Sequence, residues 1–326
     1  MSTRLVICAD SALDVCGRLA ASGRRVAVPS RAKSLAECVS AKRMIRKFDL
    51  TGLPVEIGSV QNKLHVLVSC NKNRFRSKDI VRHTWSGDLP AGSLYKVGPG
   101  VYVTSPEFSL LLISQKCGFN DLVMRCCEAC GAYGIDDRGK GFYERPALTS
   151  IARVQAFLDR AGSVRGASKL RRALKYTFDN ARSPMEAAIA LLMCHPVKMG
   201  GFGFPKPVLN YRMDLNRETS RMAGRKFVLF DFFFPAQQVA LEYDSNQEHT
   251  GANRIASDAR RNNTLRYLGV SVTNITWAQV RDPLAFEDVM RQVARLLGRK
   301  PVVLSNQARI KRMQLRADVL PRVVDR

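Results

Sequence analysis

The chain has 326 residues, 46% of them apolar and 25% charged, the balance of a globular protein and not of a disordered, collagenous or membrane-bundle chain. At about 150 residues per domain it is long enough for two domains. Lys and Arg number 52 against 28 Asp and Glu, and the net charge of +24 favours polyanions, nucleic acid first and an anionic membrane surface second.

The N-terminus, MSTRLVICADSALDVCG, is interrupted by Asp10 and Asp14 where a secretory leader needs a continuous apolar run. The longest apolar runs, such as residues 187–194, fall well short of the ~20 residues that span a bilayer. The nine cysteines are odd in number and do not form the dense framework of a small secreted domain, so reduced thiols and a cytoplasmic location are expected.

In chain order, residues 5–8 read as a short strand leading into a helix that ends at Gly23, and residues 31–49 as a basic helix. A strand follows at 64–70, then a basic turn over 71–78 and a strand at 101–103. Thr104 with Glu107 predicts a capping box for the next helix, with Pro106 in its first turn. Residues 108–131 are helical by apolar spacing and carry Cys126, Cys127 and Cys130. Cys127-x-x-Cys130 lacks the second close pair of a structural zinc site, so these are read as core thiols. The aperiodic segment 135–146 reads as a linker, which places a smaller α+β domain at 1–148 and a second domain at 149–326.

The second half opens with a basic helical stretch, 149–180, where Arg165, Lys169, Arg171 and Arg172 are candidate phosphate contacts. Ser183 and Glu186 form a capping box at the start of an apolar helix. Three strands follow at 208–215, 226–235 and 238–244, the last two joined by the two-residue step Ala236-Gln237. A helix over 253–268, ended by Gly269, and a strand at 270–276 complete the order α, β, β, β, α, β. The tail from 299 to 326 carries eight Lys and Arg against two Asp, with enough apolar residues for an amphipathic helix.

Asp231 is an ionisable group inside an aromatic and β-branched run, where burial without a partner is expensive. Glu242 and Asp244 stand at i and i+2 on the next strand and share a face. Three carboxylates brought together repel unless a cation shares them, and a hard divalent ion suits such an oxygen cluster. Gln247 and His249 follow directly, the imidazole being able to move a proton near neutral pH. Arg254, Asp258 and Arg261 recur at helical spacing, and beside an acidic centre Arg261 would clamp a phosphate.

The run from Asp231 through LEYDSNQEH to DARRNNTLRYLGVSV, preceded by SPMEAAIALLM, resembles the restriction-endonuclease-like PD-(D/E)xK superfamily over residues 183–297. Within it the chain is most similar to very-short-patch-repair-like nuclease domains of bacterial proteins of mostly unknown function. The first half resembles, more weakly, the regions that accompany such domains and abortive-infection antitoxins. The resemblance implies an αβββαβ core and cleavage of DNA, most simply double-stranded, using Mg²⁺ or Mn²⁺ held by Asp231, Glu242 and Asp244. It matches Glu186 to the acidic residue of the first helix and His249 to the histidine after the strand; beside this match Gln247 is a further catalytic candidate, and Arg254 and Arg261 are candidate nucleic-acid contacts. Asp244 stands where the superfamily often has lysine. The alternative expectation is therefore a nucleic-acid-binding regulator of nuclease-like fold that does not cleave.

Overall fold

The computed structural model describes residues 3–24, 28–29, 35, 38–39, 41–54, 63–69, 77–136, 141–244, 252–300 and 304–320. The protein is of mixed α/β class and divides into two compact units, Met1–Pro184 and Met185–Pro321.

The first unit opens with β1 (Leu5–Ile7), a β-branched run buried on both faces, and α1 (Ala9–Ala21). In α1, Ala12, Val15, Cys16 and Leu19 recur at helical spacing and are buried, the apolar stripe that packs onto the sheet. Next come β2 (Val28–Pro29), α2 (Lys42–Ile45), β3 (Leu64–Val68), β4 (Ile80–Thr84), β5 (Leu94–Gly98) and β6 (Val101–Thr104). They form one mixed sheet of order β2-β5-β6-β1-β3-β4, in which β1 runs parallel to β6 and antiparallel to β3.

The helix expected over 31–49 is reduced, within the described residues, to α2. The 71–78 turn lies largely outside the described residues. Helix α3 (Pro106–Ser114) has all nine residues buried and begins with Pro106 as expected. Its cap is Ser105, whose hydroxyl accepts from the Phe108 amide, and not Thr104, whose hydroxyl pairs with Ser109.

Helix α4 (Phe119–Cys130) buries Cys126, Cys127 and Cys130, and burial raises the Cys126 and Cys130 thiols well above their ordinary pKa. The expected linker contains a hairpin, β7 (Tyr133–Ile135) with β8 (Phe142–Glu144). The expected basic helix is two helices, α5 (Ile151–Ala161) and α6 (Ala167–Leu174). Gly162 and Gly166 separate them at φ +70° and +89°, and a Cβ on Gly166 would lie 2.3 Å from the Ser114 hydroxyl. Both helices pack against α3, and α6 also against α4, so the boundary expected near 148 moves to 184.

The second unit runs α7 (Pro184–Cys194), β9 (Val208–Asp214), α8 (Arg217–Ala223), β10 (Phe227–Phe234), β11 (Val239–Asp244), α9 (Ala252–Tyr267), β12 (Ser271–Thr276), α10 (Trp277–Arg281), α11 (Pro283–Leu296) and α12 (Asn306–Val319). Its sheet has the order β12-β11-β10-β9. β9, β10 and β11 are antiparallel, while β12 is parallel to β11, a pairing that requires the crossover through α9. The β10–β11 connection is a four-residue turn, 235–238, and not a two-residue step, because Phe234 pairs with Val239; Gln238 takes the positive φ of +53°.

Val228, Phe230, Phe233, Ala240, Leu265 and Val270 make one core of this unit. On α11, Phe286, Val289, Met290 and Val293 are buried at helical spacing. The basic tail is helical over most of its described length, as its apolar content allows. It forms α12, whose buried face includes two arginines. Arg312 donates to the carbonyls of Gly200 and Gly201 at 3.2 and 3.1 Å and to Glu287 at 2.9 Å, and Arg316 donates to the Val280 carbonyl at 2.6 Å. No helix among the described residues is long and apolar enough to cross a membrane.

Candidate active site

Asp231 lies inside β10, at the one position where the ladder to β9 is interrupted. Strand alternation puts residues three apart on opposite faces, yet Phe230 and Phe233 stack at 5.0 Å in the same core. The side chains therefore change face near Asp231, although the register to β9 stays the same on both sides of it. The ladder to β9 pairs Phe230 with Tyr211 and Phe232 with Leu209 and skips Asp231 and Asn210, the latter at φ +50°. The ladder to β11 begins at Phe232 with Leu241. In place of the missing rung the Asp231 carboxylate accepts from the Tyr243 amide at 2.8 Å, which fixes it beside β11. A carboxylate here satisfies a backbone donor that the opened ladder would otherwise strand.

Glu242 is the next residue of β11 after Leu241 and pairs across the parallel ladder with Asn274 of β12. Its carboxylate accepts from the Arg261 guanidinium of α9, and that guanidinium also lies over the Phe230 ring, 5.7 Å from its centre. Burial pushes the Glu242 carboxyl above its ordinary pKa; Arg261 pulls it down, and Asp231 and Asp258 push it further up. Burial is the largest cause of that rise, and the neighbouring carboxylates add to it.

These groups line an open cleft with Arg225, Leu229, Tyr243, Asp244, Asp258 and Asn274. Arg225 donates to the Ser257 hydroxyl at 3.0 Å. Asp244 is exposed at the end of β11 and raises the Tyr243 phenol in addition to the effect of burial.

Of the expected residues, Asp231, Glu242, Asp244 and Arg261 therefore meet at one cleft. The expected three-carboxylate set is not gathered: among the described residues no three His, Cys, Asp or Glu are placed to share a metal ion. Divergence of β10 from β11 at Asp231 and the position of Asp244 at the strand end account for this. Two carboxylates remain adjacent, which suits Mg²⁺, an ion that commonly takes one or two carboxylates and keeps its waters for substrate phosphate.

Arg261 is bound to Glu242 instead of standing clear as a phosphate clamp. Glu186 is buried on α7 and accepts from the Asn210 side chain at 2.6 Å, and it does not line the cleft. Gln247 and His249 lie outside the described residues, and Arg254 is on the first turn of α9.

The four basic candidates of the first unit divide. Lys169 donates to the Cys117 carbonyl, and Arg171 donates to the Leu158 carbonyl at 2.8 Å, so both tie the unit together. Arg172 is exposed and stacks on Phe119 at 4.2 Å, and Arg165 is exposed.

Arg225 and Asn274 were missed by sequence reasoning, because each reaches the cleft from an element whose own pattern carries no chemical signal. Comparison with protein-family models, with curated proteins and with solved structures gives no match.

Proposed function

We propose that residues 185–321 form a restriction-endonuclease-like domain that hydrolyses phosphodiester bonds of DNA with Mg²⁺ or Mn²⁺. The observation that carries this reading is the placement of Asp231. In a unit ordered α7-β9-α8-β10-β11-α9-β12, with α8 added between the first two strands of the expected order, the Tyr243 amide holds the Asp231 carboxylate against β11 beside Glu242. Asp231 and Glu242 would hold the ion, which supplies polarisation of the scissile phosphate and a more acidic bound water. Arg261 orients Glu242, and Arg225 lines the same cleft as a cation suited to a phosphate oxygen. The excess positive charge of the chain supports nucleic acid as substrate and makes affinity steeply salt-dependent.

A second reading, a DNA-binding regulator that does not cut, is favoured by Asp244 at the position of the usual lysine and by the engagement of Glu242 with Arg261. Nicking of supercoiled plasmid at low salt decides between them. The nuclease reading expects cleavage with Mg²⁺ or Mn²⁺, none with EDTA, and loss in both Asp231→Ala and Glu242→Ala. Binding of single- and double-stranded DNA without cleavage by either metal would establish the regulator.

A further inference from the structure

A second concavity in the same unit has the opposite charge. A pocket of about 200 Å³ opens between the single 3-10 turn Val197–Met199, helix α11 and the start of α12. Phe202, Met290 and Leu304 supply apolar wall, and Arg299, Lys300 and Arg309 stand as cations around it. It shares no lining residue with the acidic cleft.

The remaining charges of the pocket are already used. Glu287 accepts from Arg312, and Arg291 is paired with Asp288 of its own helix. Arg312 spends its guanidinium on Glu287 and two backbone carbonyls, with its flat face on the Phe202 ring at 3.8 Å. It fixes the aromatic wall and the seat of α12. Phe202 is further held against Phe286 and Phe204, each 5.8 Å away between ring centres. Among the described residues Arg299, Lys300 and Arg309 have no carboxylate partner.

We infer that this pocket binds a nucleoside phosphate, with the phosphate among Arg299, Lys300 and Arg309 and the base against Phe202 and Leu304. Arginine forks and an ammonium suit a phosphate dianion. Stacking on an aromatic ring gives base affinity without base identity. The space is many times the roughly 10–15 Å³ that admits one water. The same chemistry is offered by a free nucleotide and by the 5′-phosphorylated end of a DNA strand. The inference is independent of the nuclease reading.

Isothermal titration of the full chain in EDTA tests it, with deoxyadenosine monophosphate, deoxyadenosine, inorganic phosphate, and 12-mer DNA strands bearing a 5′-phosphate or a 5′-hydroxyl. The monophosphate is expected to bind at least about tenfold more tightly than either of its parts, since a charge-assisted contact and a stacked base each contribute on that scale. The Arg299→Ala, Lys300→Ala double variant and Arg309→Ala are each expected to weaken it about tenfold. All three side chains are exposed, so the fold should be kept, which circular dichroism checks.

A tenfold preference for the 5′-phosphorylated strand that disappears in Arg309→Ala identifies a strand end as the ligand. Equal binding of the two strands, with the monophosphate still bound, identifies a free nucleotide. The proposal is overturned if the monophosphate does not bind at millimolar concentration, if inorganic phosphate binds as well as the nucleotide, or if both variants bind like the parent.

Discussion

The two units treat their carboxylates differently. In the first, carboxylates are matched to cations or hydroxyls. Asp10 pairs with Arg125, Arg18 bridges Asp14 and Asp136 at 2.7 and 3.0 Å, and buried Glu107 is held by the Thr149 hydroxyl at 2.6 Å and Arg153 at 3.0 Å. In the second, Asp231, Glu242, Asp244 and Asp258 converge on one cleft, and burial with neighbouring negative charge raises Glu242 although Arg261 is bound to it. The first arrangement spreads its carboxylates over separate pairs; the second gathers four along one cleft without placing three to share an ion.

The largest effect should come from neutralising the crowded set without disturbing its geometry. Asp231→Asn keeps an oxygen for the Tyr243 amide and removes the charge. Plasmid nicking should therefore fall on the order of 10³-fold, the loss of roughly 4 kcal/mol of transition-state stabilisation, while the melting temperature stays near that of the parent. Cleavage that survives this change would place the chemistry elsewhere.

Acid should strike both units through buried histidines. Burial lowers His83 from 6.5 to about 3, with neighbouring His65 and Lys116 adding to the shift, and lowers His195 from 6.5 to about 4. The unfolded chain then binds the extra protons. Stability is complete above pH 6.5 and is lost as pH falls toward 3 or 4, by on the order of a few kcal/mol. Denaturant melts between pH 7 and pH 4 measure this, and stability that rises on acidification contradicts it.

Glu107→Ala strips a buried hydroxyl and a guanidinium of their partner and should cost about 2 kcal/mol in urea unfolding. Glu242→Gln, which removes a charge that its surroundings disfavour, should change stability by less than about 1 kcal/mol. Equal losses in the two variants would erase the distinction between the units.

Much of the second unit was legible. The aromatic run 227–234, the acidic strand after it and the helix ended by Gly269 each carry a distinct period, and they fold in the expected order. Asp231 and Glu242 stood out because a carboxylate in an apolar strand is costly unless something uses it. The first unit was read less well. Strands β4 and β5 and the hairpin β7–β8 are short and polar-flanked, so their periodicity is weak. The contact boundary falls at 184 and not near 148 because α5 and α6 both bury apolar faces against α3, and α6 also against α4.

Residue types and their spacing thus determined the strong positive charge and the succession β10, β11, α9, β12 of the second unit, although not α8 between β9 and β10. Only tertiary structure decided which charges are spent. Arg312 and Arg316 look like a phosphate-binding tail in one dimension and serve as buried clamps on backbone carbonyls in three. Arg225 and Asn274 join Asp231 and Glu242 because strand pairing and the helix crossover carry them there. Local propensity acts over a few neighbouring residues, whereas the energy of a charge depends on every group within several ångströms, and chain topology assembles those groups from distant positions.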